Sequence, residues 1–202
     1  MVKRAFDITA AAAGLAVLWP IMIAAAVAVW LDSPGDILFV QERVGRHFRR
    51  FKLYKFRTMA ATRAVPGPTI TRAGDPRVTR VGRLLRATKV DELPQLINVV
   101  KGDMSLVGPR PEVPEFVELF ERDYREILTI RPGITDLASI KYRHEAELLA
   151  ASADPHNEYI ARILPDKIEL AKQYVRRASL PLDLRLIAQT FFAICARGER
   201  SA

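Results

Sequence analysis

The chain has 202 residues, with 31 Lys and Arg against 23 Asp and Glu, which fits one domain able to bury a real core. Its excess positive charge is local: residues 32–101 hold fifteen basic and six acidic residues, a field that calls for an anionic partner such as phosphate, nucleic acid or an anionic membrane surface. The single cysteine, Cys195, excludes an internal disulfide framework and fits a reducing compartment. The spacing of His47, His144 and His156 argues against a histidine–cysteine metal site.

In chain order, residues 8–31 read "ITAAAAGLAVLWPIMIAAAVAVWL", without a charge. Such a run reaches roughly 36 Å as a helix, enough to cross a bilayer once. It lacks the small-residue ending of a cleavable signal. Pro20 lies near its middle and predicts a helix break or kink. Lys3 and Arg4 flank one end; Arg43, Arg46, Arg49, Arg50 and Lys52 follow the other. The positive-inside bias then places both ends on the cytoplasmic side, which a re-entrant helix-break-helix satisfies and a straight spanning anchor does not. The spanning anchor stays as the alternative.

A turn at Ser33-Pro34-Gly35 leads into short apolar runs that predict a β-hairpin over about residues 37–57, with Gly45 at its bend. Residues 60–77 read as a Pro- and Gly-rich loop. Helical patterning resumes at "RVGRLLRAT", breaks near Thr88 and restarts at "DELPQLINVVKG". A helix beginning at Asp91 would put Pro94 in its first turn and Asp91 at the N-cap. "GDMSLVGPRPEVPEF" reads as a loop. Phe116, Phe120, Tyr124, Ile127 and Leu128 then recur at helical spacing as core positions until "RPG". Residues 145–177 predict one or two further helices, interrupted at Asp154-Pro155 and at Pro165. The last apolar segment, "SLPLDLRLIAQTFFAICARG", is too short to span and suits an interfacial amphipathic helix. The fold class expected is α+β, mainly helical: a membrane anchor over residues 1–31 and a cytoplasmic domain over residues 32–202.

Asp91 and Glu92 sit side by side in this basic setting. Arg83, Arg86 and Lys89 precede them, Lys101 and Arg110 follow, and Lys55 and Arg57 come from the hairpin. An ion-pair network is one reading; a phosphate-handling active site is the other. Charge alone also allows nucleic-acid binding, but the cations follow an apolar segment and form no recognised nucleic-acid module.

"SPGDILFVQERVGR", "KFRTM", "DPRVTRVGRLLRATKVDELPQLINVVKGDMSLVGPRPE" and "RPGIT" resemble the bacterial sugar transferases, the monotopic phosphoglycosyl transferases. The resemblance is dense over about residues 1–140 and looser in the tail. It implies a plasma-membrane enzyme on the cytoplasmic face that moves sugar-1-phosphate from a UDP-sugar to polyprenyl phosphate, releases UMP and initiates glycan assembly. It further implies Asp91 as nucleophile and Mg²⁺ ligand, with Glu92 as a base or a positioner of the acceptor. Lys55, Arg86 and Arg110 fall on positions that bind phosphate or order the loop around it, and Arg57 joins them as a candidate substrate contact. The chain departs from the family pattern at three places. Trp19 precedes Pro20 where Ser is usual, Phe48 stands at the hairpin tip where Gly is common, and Asp136 follows "RPGIT" where Gly is usual. A catalytically silent membrane adaptor is the competing function. Donor sugar, glycan pathway and oligomeric state, a homo-oligomer included, are not legible.

Overall fold

The computed structural model describes residues 1–60 and 70–198, so half of the loop expected over residues 60–77 lies outside the described residues. The protein is mainly helical, with one small antiparallel hairpin and one long apolar N-terminal helix.

That helix, α1 (Val2–Asp32), is continuous, with Pro20 inside it. The expected helix-break-helix is therefore not seen as an interruption: proline removes one backbone hydrogen bond, and the Ala-rich turns on either side keep the helix going. Both ends of α1 are tied to the rest of the chain. Near its start, Lys3 Nζ donates to Asp183 and, at 3.1 Å, to the Val107 carbonyl. Arg4 donates to the Val99 carbonyl at 2.8 Å, and Asp7 accepts from Ser105 Oγ at 2.8 Å and from the Leu106 N–H at 3.1 Å. At the far end, Asp32 accepts from the Val81 N–H at 3.1 Å. Between these ties only one stripe is covered. Ala11 packs in a cluster with Leu53, Leu96 and Met104, while Ala25 and Val29 pack with Phe56 and Leu85. Only 11% of the helix's most apolar stretch is buried, and Val17, Trp19, Ile21, Ile23, Val27 and Trp30 face outward. An outward face of this size and apolarity suits hydrocarbon better than water.

The hairpin pairs β1 (Leu38–Val44) with β2 (Arg50–Phe56), in register from Leu38 opposite Phe56 to Val44 opposite Arg50. Its tip is a short 3₁₀ turn, Arg46–Phe48. Gly45 is extended there; the left-handed residues are His47 at φ 56° and Phe48 at φ 59°. A glycine would adopt that conformation without strain, which gives the departure at Phe48 a physical meaning.

Helix α2 (Arg80–Thr88) is N-capped by Thr79, whose Oγ1 accepts from the Gly82 N–H at 2.9 Å. It ends at Lys89 in the left-handed conformation, φ 60°. A 3₁₀ turn, Val90–Glu92, follows, and α3 (Gln95–Lys101) begins only at Gln95, with Pro94 at its N-cap. The expected helix start at Asp91 is thus displaced, and Asp91 is not a cap. Leu93 is helical at φ −54°, ψ −36° despite preceding proline, so the chain spirals through a tight turn before α3 forms.

Two three-residue strands, β3 (Ser105–Val107) and β4 (Gly133–Thr135), pair in parallel. Gly133 and Gly108 cross backbone to backbone here: a Cβ on Gly133 would stand 2.0 Å from the Gly108 nitrogen. The aromatic stripe forms two helices, α4 (Pro114–Leu119) and α5 (Glu121–Ile127), because the backbone leaves helical geometry at Phe120. Phe116, Tyr124, Ile127 and Leu128 are nevertheless core residues. Then come α6 (Leu137–Lys141), α7 (Glu145–Ala150), α8 (Pro155–Glu158), a π turn over Tyr159–Ile163, and α9 (Leu164–Arg177). Pro165 opens α9 rather than interrupting a helix, as suits a proline without an N–H to donate. Helix α10 (Leu180–Gly198) exposes Leu184, Phe191 and Phe192.

Candidate active site

Asp91 and Glu92 ride on the 3₁₀ turn between α2 and α3. The turn is fixed from several sides. Val90 packs against the cluster of Ala25, Val29, Phe56 and Leu85, which sets the acid pair against the second half of α1. Gly82 lets α2 press onto the hairpin exit: a Cβ there would lie 2.1 Å from the Thr58 carbonyl oxygen. Arg110 comes from a proline-stiffened loop clasped at several points. Its N–H donates to Asp136 Oδ2 at 3.2 Å, the Pro109 carbonyl accepts from the Gly133 N–H at 2.9 Å, and the Pro111 carbonyl accepts from Arg43 at 3.1 Å.

The two carboxylates are buried almost equally, 7% and 8% exposed, yet their surroundings differ. Glu92 Oε1 accepts from Arg110 at 2.7 Å and from Lys55 at 3.1 Å, with Lys89 at 3.9 Å. Burial alone would raise its pKa, but Arg110, Lys55 and Lys89 outweigh that and hold Glu92 well below the usual carboxylate range. Asp91 Oδ1 is buried and accepts no hydrogen bond among the described residues. Burial and the Glu92 charge push Asp91 above its ordinary value, against the pull of Lys55, Lys89 and Arg86. Burial, only partly offset by Glu92, lowers Lys55. Arg110 is raised, chiefly by Glu92. The site therefore holds one firmly ionised, ion-paired acid and one exposed-to-field, unbonded acid beside it.

Of the residues singled out in the sequence, Lys55, Arg110 and Glu92 meet directly. Arg86 donates to Thr58 Oγ1 at 2.8 Å, and Asp91 is the first charge that favours its cation. Arg57 is differently employed: its guanidinium donates to the Ser33 and Pro34 carbonyls at 2.6 and 2.7 Å, clamping the exit of α1 rather than either carboxylate. Two more residues join the site: Lys89, named in the sequence only as part of the basic setting, and Asp136, named there only as a departure from the family pattern. Lys89 reaches Glu92 because its left-handed backbone turns the chain back; its proximity in sequence was the available signal. Asp136 both N-caps α6, accepting from the Ser139 N–H at 2.7 Å, and holds the Arg110 backbone. An Asp three residues before Ser139 is a capping pattern that could have been read.

Taken together, fold and site describe a protein with an apolar outer helix and, against its inner face, an acid pair among cations. The bacterial sugar transferase model matches residues 1–197, and the chain belongs to that family. It is 42% identical over 198 residues to a UDP-N-acetylgalactosamine-undecaprenyl-phosphate N-acetylgalactosaminephosphotransferase of Aeromonas hydrophila, covering 96% of this chain and 43% of that protein. It is 38% identical to an exopolysaccharide production protein of Rhizobium leguminosarum bv. phaseoli, covering 98% of each. It is also 38% identical to a UDP-glucose:undecaprenyl-phosphate glucose-1-phosphate transferase of Caulobacter vibrioides, covering 93% of this chain and 67% of that protein. The chain thus spans less than half of the Aeromonas relative and essentially all of the Rhizobium one.

Proposed function

We propose that this chain is a phosphoglycosyl transferase that moves sugar-1-phosphate from a UDP-sugar to polyprenyl (undecaprenyl) phosphate and releases UMP, initiating lipid-linked glycan assembly. The observation that carries this reading is the buried, unbonded Asp91 Oδ1 beside Glu92, whose Oε1 is ion-paired with Arg110 and Lys55. A carboxylate stripped of hydrogen bonds is a better nucleophile than one held by them, and the cations around it lower the repulsion between two anions.

In the first step an Asp91 oxygen forms a bond to the β-phosphorus of the donor, and the bond from that phosphorus to the bridging oxygen breaks. UMP leaves with the electron pair. In the second step a polyprenyl phosphate oxygen attacks the same phosphorus, the aspartyl bond breaks and Asp91 returns as a carboxylate. Lys55, Arg86, Lys89 and Arg110 offset charge along this path. Glu92, held strongly acidic, is a weak base and a good anchor; its role is to keep Lys55 and Arg110 in place and the acceptor oriented.

Mg²⁺ is the cofactor expected. Among the described residues no three or more His, Cys, Asp or Glu side chains are grouped so as to hold a metal ion by themselves, and Mg²⁺ commonly takes one or two carboxylates plus substrate phosphates. The free Asp91 Oδ1 fits that need, so Asp91 would hold it, and it would supply charge neutralisation at the diphosphate.

The ties of α1 support a monotopic arrangement. Lys3, Arg4 and Asp7 at one end and Asp32 at the other bond to the same body, which supports a membrane-embedded helix whose two ends stay on one, cytoplasmic, face. The acid pair then lies at the depth where a lipid-borne phosphate emerges.

The test is the nucleotide released. Purified protein in discs, given a panel of UDP-sugars, polyprenyl phosphate and Mg²⁺, should release UMP. UDP would identify an ordinary glycosyltransferase, and no nucleotide from any donor would indicate a silent adaptor; either contradicts the proposal.

A further inference from the structure

The acid pair accounts for Lys55, Arg86, Lys89 and Arg110 but not for the cations at the other end of the hairpin. There the structure has a cavity of about 500 Å³, lined by Arg46, Arg49, Arg50, Lys101 and Arg131, with Asp103 the only carboxylate among its lining residues. Counting along β2, it lies roughly 15 Å from Lys55, so it is a separate place.

The cations there are arranged, not merely near one another. Arg46 Nε donates to the Thr129 carbonyl at 3.0 Å, and Arg131 Nε donates to the Gly102 carbonyl at 2.8 Å. Each bond fixes a guanidinium plane while leaving its two terminal nitrogens without a hydrogen-bond partner among the described residues. The Arg49 side chain makes no hydrogen bond or ion pair among them either. Asp103 is turned toward Asn98, which donates to it at 3.3 Å. Arg50 is paired with Glu42 at 2.9 Å and Glu118 at 3.5 Å, and Lys101 donates to the Tyr54 hydroxyl at 3.2 Å, so the cations left without an anion among the described residues are Arg46, Arg49 and Arg131. Burial, Arg4 and Arg46 all disfavour the Arg131 cation, and only Asp7 opposes them. Guanidinium forks with free terminal N–H groups match the oxygens of a phosphate. A cavity of this volume admits more than a bare phosphate ion.

We propose that this hairpin-tip cavity is a second anion site, which takes a phosphate group carried on a headgroup-sized molecule. Phe48, next in sequence to the lining residue Arg49, and Val100, next to Lys101, are exposed apolar side chains, so the phosphate has two sources: a lipid headgroup or a soluble phosphate ester.

The experiment uses the full chain. Inorganic pyrophosphate is titrated by calorimetry into protein in zwitterionic detergent, and retention of phosphatidylglycerol against phosphatidylcholine is measured by native mass spectrometry from mixed discs. Each is repeated with Arg49→Gln/Arg131→Gln. Loss of one pyrophosphate site, or a fall in its affinity of about tenfold or more, supports the site with a soluble ligand. Loss of preferential phosphatidylglycerol retention supports it with a lipid source. Unchanged behaviour in both arms overturns it and leaves a solvated basic rim. Should the double variant fail to fold, Arg49→Glu replaces it: that side chain is exposed and unbonded, so the fold survives and the same losses are expected. UMP release is read separately, so failure here leaves the transferase reading intact.

Discussion

Arg110 donates to Glu92 Oε1 at 2.7 Å across 18 residues of sequence, while the adjacent Asp91 Oδ1 takes no hydrogen bond among the described residues. The pair is thus divided in labour. Glu92 gathers the cations, and Asp91 is left reactive in their field.

Arg110→Ala removes the shortest bond to the buried Glu92 carboxylate. We expect a loss of about 1–3 kcal/mol in stability, read from denaturant unfolding, and a fall in UMP release of about 10²-fold or more. Arg110→Lys should recover stability better than rate, because an ammonium keeps the charge without the planar fork.

Asp91→Asn should abolish turnover yet leave the protein as stable or more so. Burial and Glu92 disfavour the Asp91 charge more than Lys55, Lys89 and Arg86 favour it, so a neutral isostere relieves a cost. Thermal unfolding of the folded variant checks this; a marked drop in Tm would show that the Asp91 charge is stabilising.

The pH dependence separates the two acids. Asp91 is raised, so its ionised form is lost as pH falls through a value above the ordinary range near ~4. That protonation removes the nucleophile while relieving a cost to the fold. Glu92 is depressed, so its stabilising contribution is present above its unfolded pKa and is lost only as pH falls through the lower folded value. Activity should therefore fail before structure on acidification, measured as turnover rate and circular dichroism over the same pH series.

Lys3 joins the start of α1 to Asp183, which is 1% exposed and also accepts from Tyr174 at 2.6 Å. Lys3→Met leaves that carboxylate short of a partner. Because Lys3 is partly solvated, we expect a modest cost of about 1–2 kcal/mol, with faster proteolysis near the amino terminus. Unchanged unfolding and proteolysis would show that α1 is held by its apolar stripe alone.

Much of this was legible from the chain because its signals are local. The hairpin strands show as apolar and aromatic runs, α2 as a helical run ending near Thr88, and the acid pair as two carboxylates in a basic stretch. What was hidden depends on distant partners. Residues 105–107 look like loop because a three-residue strand has no periodicity, and its pairing with residues 133–135 exists only through the Gly108–Gly133 crossing. The start of α3 was misplaced because local capping preference favours Asp91, whereas the left-handed Lys89 imposes a 3₁₀ turn first. Arg57 was grouped with the site by charge, but tertiary contacts give its guanidinium to Ser33 and Pro34. Asp136, in the sequence only a departure from the family pattern, braces the Arg110 loop.

The most direct test of the central claim is a trapped intermediate. Protein is incubated with a UDP-sugar that supports UMP release and Mg²⁺, without acceptor, acid-quenched and analysed by peptide mass spectrometry. A phosphosugar adduct on Asp91, absent in Asp91→Asn and discharged by polyprenyl phosphate, is the predicted result. UMP release requiring acceptor in the first turnover, with no adduct on Asp91 under any quench, would contradict it.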